Sequence, residues 1–516
     1  MTCPVCDEQN FAYLFVVRGL PVVRCRACGC MALGASPAAA DYSDFYGGHA
    51  FDSGDVSAPA DSETERDASL RYLDALRRRG VQGGSLLVIR GPSPCVDPGN
   101  LIDRAKAAGF RIDTLDLSSP AAPLEPAAYD AAVMLHQLQT QPVPGPVLAS
   151  AHAALRPRAP LLLTVPRVNS WPARFFGRQW TEWRPENRLY FDESTIQLLL
   201  LRHGFADILV RSDRRRYTLR HIYQRASTCP RTPLTRSIAM VHAMLPLARQ
   251  MRVRLATSGI VVTAVRAERP ARVKCSIVVA AFNERKSFPV LMDALLKKEL
   301  PGMDREIIVV ESNSTDGTRA LAQQYAHHPH IQLVLQDRPR GKGHAVREAF
   351  RHATGDIVLI QDADLEYDLN DYDALLAPLL ANRALFVLGT RHGDHWKIRK
   401  FQQEGLSTVL NLGHVFFTGL MNVLFRQNMS DPFTMFKVFR RDCLFGLEFN
   451  CNRFDFDHEL VIKFIRKGYV PLEIPVNYVS RSFREGKKVR MFRDPAGWIW
   501  INLKLRFTRL FPEELG

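Results

Sequence analysis

The residues best suited to chemistry in this chain are Asp362, Asp364 and Glu366, set one apart where the apolar run Ile357-Val-Leu-Ile ends. Two aspartates at i and i+2 after a buried strand reach one hard cation if the chain turns there. Carboxylates that hold Mg²⁺ or Mn²⁺ this way leave coordination positions for substrate phosphates. Asp362 and Asp364 are therefore metal-ligand candidates, with Glu366 either a further ligand or an outlying acid. Upstream, Arg338-Pro-Arg-Gly341-Lys342-Gly343-His344 is a basic glycine loop that opens a helix. Its amides, the helix N-terminus and Lys342 suit a diphosphate. Arg481 and Arg484 head a second basic cluster able to clamp a phosphate. Cys3-x-x-Cys6 and Cys25-x-x-Cys28 supply four thiolates, the complement of a closed, structural zinc site, with Cys30 an alternative to Cys28.

These groups need elements to position them. Cys275-Ser-Ile-Val-Val-Ala280, Glu306-Ile-Ile-Val-Val-Glu311, Ile331 to Leu335 and Ile357 to Ile360 read as buried strands. Helical stretches separate them, Arg319 to Tyr325 (with Ser314 or Thr315 as its cap) and Lys342 to about His352. Strands alternating with helices imply a parallel α/β sheet whose strand ends share one edge, so the loops gather into one crevice. Residues 63–265 show a second such alternation, beginning with a helix at Thr64 to Arg79 and a strand at Gly83 to Ile89. Ala35 to Ser62 reads as a linker, and Ala267 to Arg272 as a boundary.

The chain has 516 residues and a formal charge of +15, so two to four domains and an anionic partner are expected. Five of its ten cysteines lie in the first thirty residues, which favours metal binding in a reducing compartment over a disulfide framework. No leader peptide is read at Met1. Near the cysteines no basic run is interleaved with stacking aromatics, which argues against a nucleic-acid-binding zinc protein. The uncharged stretch Gly405 to Phe425 contains Ser407, Asn411, His414 and Thr418, so it is a poor membrane span but a candidate interfacial helix, as is Gly497 to Phe507.

In order and spacing, residues 273–480 resemble the family 2 inverting glycosyltransferases of GT-A fold, and within them the dolichyl- and polyprenyl-phosphate sugar synthases. The resemblance implies a nucleotide sugar, UDP- or GDP-linked, held by Ala281, Asn283, Glu284, Glu311, Lys342 and Asp362. Glu311 and Ser312 stand where the family usually has two aspartates. It also implies acceptor-phosphate contacts at Arg391 and Arg399, and an acidic motif at Phe454-Asp455-Phe-Asp457-His-Glu459. If the acceptor is a glycan hydroxyl, Asp457 is the candidate base. If it is a polyprenyl phosphate, Asp457 or Glu459 orients it.

The first thirty-four residues resemble the zinc ribbon that precedes some bacterial methyltransferase-like proteins. Residues 63–265 resemble the class I S-adenosylmethionine-dependent methyltransferases, with Asp116 where that family has its ribose-binding acid. The glycine fingerprint is replaced by Arg90-Gly-Pro-Ser-Pro94, whose prolines remove amide donors, so cofactor binding is not expected. The expected organisation is a ribbon (1–34), a degenerate methyltransferase-like domain (63–265), a GT-A domain (273–480) and a basic amphipathic tail (481–516). The expected activity is sugar transfer to a polyprenyl phosphate or glycan at the cytoplasmic face of the cell membrane. The alternative is methyl transfer to a sugar or its lipid carrier.

Overall fold

A computed structural model describes residues 1–17, 19–34, 62–91, 99–117, 124–218, 252–268, 272–392, 404–479 and 493–511. The chain divides into two compact units, Met1–Glu268 and Arg269–Gly516.

The first unit holds two sheets. The smaller is antiparallel, with strands β1 (Phe11–Val17), β2 (Leu20–Cys25) and β3 (Met31–Leu33). The larger, in order β5-β4-β6-β7-β10-β9, uses β4 (Gly84–Arg90), β5 (Phe110–Asp116), β6 (Ala131–Leu135), β7 (Pro160–Pro166), β9 (Phe205–Thr218) and β10 (Arg252–Arg266). Between β7 and β9 in sequence, β8 (Leu189–Tyr190) leaves this sheet to extend the smaller one, with Met31 opposite Tyr190. The ribbon is therefore not free-standing: Val17, Leu20, Val22 and Leu33 share a core with Trp180, Trp183 and Tyr190. Strands β4 to β7 run parallel, and β10 runs antiparallel between β7 and β9. Arg211 to Arg216 lie on strand β9, with Asp213 buried against Tyr72 and Arg215.

The second unit has one mixed sheet in order β13-β12-β11-β14-β16-β15-β17. Its strands are β11 (Val273–Ala281), β12 (Met303–Glu311), β13 (Ile331–Leu335), β14 (Ile357–Asp362), β15 (Phe386–Thr390), β16 (Lys437–Arg440) and β17 (Leu472–Pro475). Only β16 is antiparallel to its neighbours. Runs such as Ile277-Val-Val and Ile357-Val-Leu-Ile are buried throughout because helices cover both faces, which is why they show no alternation. The sheet grows outward from β11 in both directions, so the edge between β11 and β14 is its topological switch point. Crevices for ligands open at such points beyond the carboxyl ends of the strands.

Candidate active site

Register places the site. Ala280 pairs with Asp362 across β11 and β14, and Ala281 pairs with Glu311 across β11 and β12. The chain leaves β14 at Asp362, turns through Asp364 and Leu365, and Asp364 Oδ1 accepts the Glu366 N–H at 3.2 Å. Leu365 sits at φ 58. A left-handed conformation costs a branched residue about 1–2 kcal/mol, and here it aims the acids off the strand end. Asn283 (φ 51) and Asn313 (φ 55) on neighbouring crevice loops are left-handed too.

Lys342, at the start of the helix Lys342–His352, ion-pairs with Asp362 Oδ1. Burial disfavours its charge, but Asp362, then Asp457 and Asp364, outweigh that and raise its pKa. The flanking glycines have a packing reason beyond the amide donors expected of them. A Cβ on Gly341 (φ 102) would lie 2.4 Å from the Asn452 carbonyl oxygen, and one on Gly343 would lie 2.4 Å from Phe456 Cβ. Only glycine lets this loop close against residues 451–456, and that approach carries Asp457 toward Lys342. Asp457 Oδ1 in turn accepts from Lys437 Nζ at 2.9 Å. Lys437 is fully buried, and burial lowers its pKa against the pull of Asp457.

Other expected site residues have local employment. Glu311 is fully buried; it accepts N–H bonds from Ser314 (2.7 Å) and Asn313 (3.1 Å) and pairs with Arg319 at 3.2 Å. It lies beneath the crevice and shapes the loop after β12. Asn283 clamps that loop: its N–H donates to Ser314 Oγ and its Oδ1 accepts from Thr315 N–H, both at 2.9 Å. Ser314 and Thr315 are thus not helix caps; Gly317 takes that position, before a helix at Thr318–Gln324. Ala281 ends β11 buried, and the Glu284 N–H donates to Thr318 Oγ1.

Three expected site residues have partners within the fold. Glu459 is buried, accepts the Asn450 and Cys451 N–H groups and pairs with Lys463 at 2.6 Å. Glu366 Oε2 accepts from the Tyr478 hydroxyl at 3.0 Å. Arg391 is held by the fully buried Asp431, which accepts from both Nε (2.7 Å) and Nη2 (2.8 Å). Arg399, Arg481 and Arg484 lie outside the described residues. Lys437 closes the run Asp431-Pro-Phe-Thr-Met-Phe-Lys437 and opens β16, and its pairing with Asp457 is a contact that only the fold creates.

A hard divalent cation fits Asp362 and Asp364, whose oxygen donors stand at the strand end with Lys342 beside Asp362. Among the described residues the one gathered cluster of three or more metal-ligating side chains is Cys3, Cys6, Cys25 and Cys28, whose sulfurs lie within 4.8 Å of one another. Cys30 is directed instead at the Met31 and Tyr190 carbonyls. In the first unit Asp116, at the end of β5, is paired with Arg90 at 3.2 Å.

Part of the second unit is similar to known proteins. Residues 276–445 match the model of glycosyl transferase family 2. An undecaprenyl-phosphate 4-deoxy-4-formamido-L-arabinose transferase of Enterobacter sp. (strain 638) is 30% identical over 220 residues, 42% of this chain and 62% of that protein. A dolichyl-phosphate beta-glucosyltransferase of Trichomonas vaginalis is 30% identical over 223 residues, 40% of this chain and 65% of its own length. The chain thus spans just under two thirds of these relatives. Glucosyl-3-phosphoglycerate synthase from Mycobacterium tuberculosis, solved with Mn²⁺, UDP and phosphoglyceric acid, aligns at 19% identity over 47% of this chain and 85% of its own, with a TM-score of 0.33. The crevice at the β11–β14 edge therefore lies in the segment that matches glycosyl transferase family 2 and is similar to proteins named as glycosyltransferases.

Proposed function

We propose that the second unit is a GT-A domain that transfers a sugar, with inversion, from a UDP- or GDP-linked donor to a polyprenyl phosphate. The carrying observation is the convergence of Asp362, Asp364, Lys342 and the Lys437–Asp457 pair on one strand edge at the switch point. Asp362 and Asp364 would hold Mg²⁺ or Mn²⁺, which offsets the charge of the departing diphosphate. Lys342 neutralises the same diphosphate from the helix start. Asn283 and Glu311 fix the loops that meet the nucleotide.

The acceptor assignment follows from chemistry and from the relatives' names. A phosphate oxygen is already nucleophilic at neutral pH and needs no base. One Asp457 oxygen is committed to buried Lys437, which suits an orienting role. Both relatives act, by name, on undecaprenyl- or dolichyl-phosphate. A glycan hydroxyl remains the alternative acceptor and would make Asp457 the base. Such an acceptor lipid places the enzyme on the cytoplasmic membrane face, and no described helix is long and apolar enough to cross. Cys3, Cys6, Cys25 and Cys28 are proposed to hold a structural zinc.

A second reading, methyl transfer by the first unit, is favoured by its sheet order. A parallel run followed by an inserted antiparallel strand suits a methyltransferase-like fold. Against it, Arg90 occupies the carboxylate of Asp116, the candidate ribose ligand. The first unit is better read as a scaffold.

The test is a nucleotide-sugar transfer screen with Mn²⁺ or Mg²⁺, with and without a short polyprenyl phosphate, on wild type and Asp364→Ala. Transfer to the lipid, lost in the variant, supports the synthase reading. Turnover only with a hydroxyl acceptor moves Asp457 to the role of base. No turnover with any donor, but S-adenosylmethionine binding to the chain, replaces the reading with the second one.

A further inference from the structure

Two imidazoles meet where β15 leaves the sheet. His392, two residues past the end of β15, brings Nε2 to 3.2 Å from His414 Nε2 on the helix Glu404–Phe425. Two ring nitrogens this close need one hydrogen between them, and their surroundings decide which ring carries it. His414 Nε2 also faces the Ser430 carbonyl at 3.3 Å and Asp431 Oδ1 at 3.7 Å. A carbonyl and a carboxylate only accept, so the hydrogen belongs to His414 Nε2. Thr418 Oγ1, at 3.4 Å, donates or accepts and does not alter that choice. Burial lowers the His414 pKa from 6.5 to about 4, so this ring stays neutral. His392 Nε2 is then the acceptor of the pair. A neutral His392 therefore carries its hydrogen on Nδ1, and one on Nε2 would point at the hydrogen of His414.

The strand end is pinned in this arrangement. The His392 N–H donates to Thr390 Oγ1 at 3.3 Å, Thr390 Oγ1 lies 3.1 Å from Ser430 Oγ, and the Arg391 N–H donates to Asp431 Oδ2 at 3.0 Å. β15 runs parallel to β14, since both are antiparallel to β16, so His392 stands on the strand edge that carries Asp362. β16 lies between them, which sets His392 across the Lys437–Asp457 pair from the loops after β11 and β12. Its neighbour Arg391 is committed to Asp431. His392 itself is half-buried, and among the described residues its Nδ1 makes no hydrogen bond. We infer that His392 sets the chemical class of the acceptor: its Nδ1–H donates to an anionic phosphate and offers no lone pair to take the proton of a hydroxyl. A hydroxyl acceptor needs a base beside it, whereas a phosphate oxygen needs only donors that hold it. His414 is a positioning residue that acts through His392 by fixing its tautomer. This deepens the polyprenyl-phosphate reading and rests on it for the identity of the acceptor.

The test measures binding of farnesyl phosphate, and of its uncharged alcohol farnesol, to the full chain without nucleotide sugar. Wild type is compared with His392→Phe, His392→Asn and His392→Gln. Asparagine places an amide N–H near the Nδ1 position, and glutamine places one near Nε2. Wild type should bind the phosphate more tightly than the alcohol. His392→Phe should lose about ten- to a hundredfold on the phosphate alone, with recovery in His392→Asn and none in His392→Gln. Long-range nitrogen–proton spectra should show the hydrogen of His392 on Nδ1 and that of His414 on Nε2. Equal losses on phosphate and alcohol in His392→Phe would overturn the inference by reducing the residue to packing. So would recovery in His392→Gln alone, or a hydrogen found on His392 Nε2. Tight phosphate binding that His392→Phe leaves unchanged would overturn this inference and leave the polyprenyl-phosphate reading standing. Wild type that binds neither probe would overturn both.

Discussion

Asp457 and Lys437 form a pair whose members are each buried, so neither charge is tolerated alone. Removing one partner of such a pair costs about 3–5 kcal/mol, whereas removing both costs far less. Lys437→Met and Asp457→Asn should each lower stability by about that amount in urea unfolding, and the double variant should recover most of it. A double variant as weak as the sum of the singles would mean that the two act separately. Leu365 tests strain at the same edge. Leu365→Gly relieves about 1–2 kcal/mol of left-handed strain and adds up to about 1 kcal/mol of glycine entropy. Stability should therefore be unchanged or rise by about 1 kcal/mol. Sugar transfer should fall, because the turn that aims Asp364 becomes mobile; unaltered transfer would show that the strain has no such role.

The helix Asp455–Lys467 carries Asp457 and is braced from behind by Arg493–Phe507. His458 lies between the Phe433 and Trp498 rings, 4.4 and 5.5 Å away. The Trp498 carbonyl accepts from Asn502 Nδ2, so the same amide presents a donor to His458 Nδ1, which must be unprotonated. Burial, with Lys437 nearby, lowers the His458 pKa from 6.5 to about 3. Burial likewise lowers His414 from 6.5 to about 4, against the pull of Asp431. Both are bases held neutral in the fold, so the unfolded chain takes up protons first as pH drops. Their contribution is complete above about pH 6.5 and is lost at up to about 1.4 kcal/mol per pH unit each as pH falls toward their folded values. Urea unfolding from neutral to about pH 5 should show this slope. His458→Gln should reduce it, and an unchanged slope would place the acid sensitivity elsewhere.

At the scale of the whole molecule, the ribbon and the larger sheet of the first unit are joined through β8 and the Trp180–Trp183–Tyr190 cluster. If Cys3, Cys6, Cys25 and Cys28 hold zinc, the metal closes a core rather than a detached tail. Chelation should release about one zinc per chain, shift tryptophan emission and lower the melting of the first unit. Cys3→Ser should mimic chelation while Cys30→Ser should not, since Cys30 points at carbonyl groups. Equal effects would put Cys30 in the ligand set.

Sequence alone determined much of the catalytic unit. The runs 275–280, 306–311, 331–335 and 357–360 all became strands of one sheet, because fully apolar segments bounded by turn residues have few alternatives to a buried strand. The order of motifs also located the strand edge that carries Asp362 and Lys342. Sequence did not determine which acids face that edge. Asp457 and Glu459 lie two apart on one helix turn, yet one meets Lys437 near the crevice and the other caps the amides of Asn450 and Cys451. Partners brought from distant segments make that choice, and spacing along one helix carries no record of them. The same holds for Arg391, neutralised by Asp431, and for Glu311, enclosed by Arg319. The strand nature of Arg211 to Arg216 was hidden because its arginines mask the alternation that pairing with β10 imposes. Only tertiary structure showed that Asn411, His414 and Thr418 of Glu404–Phe425 turn inward, since which face of a helix meets the core is decided by the core and not by composition.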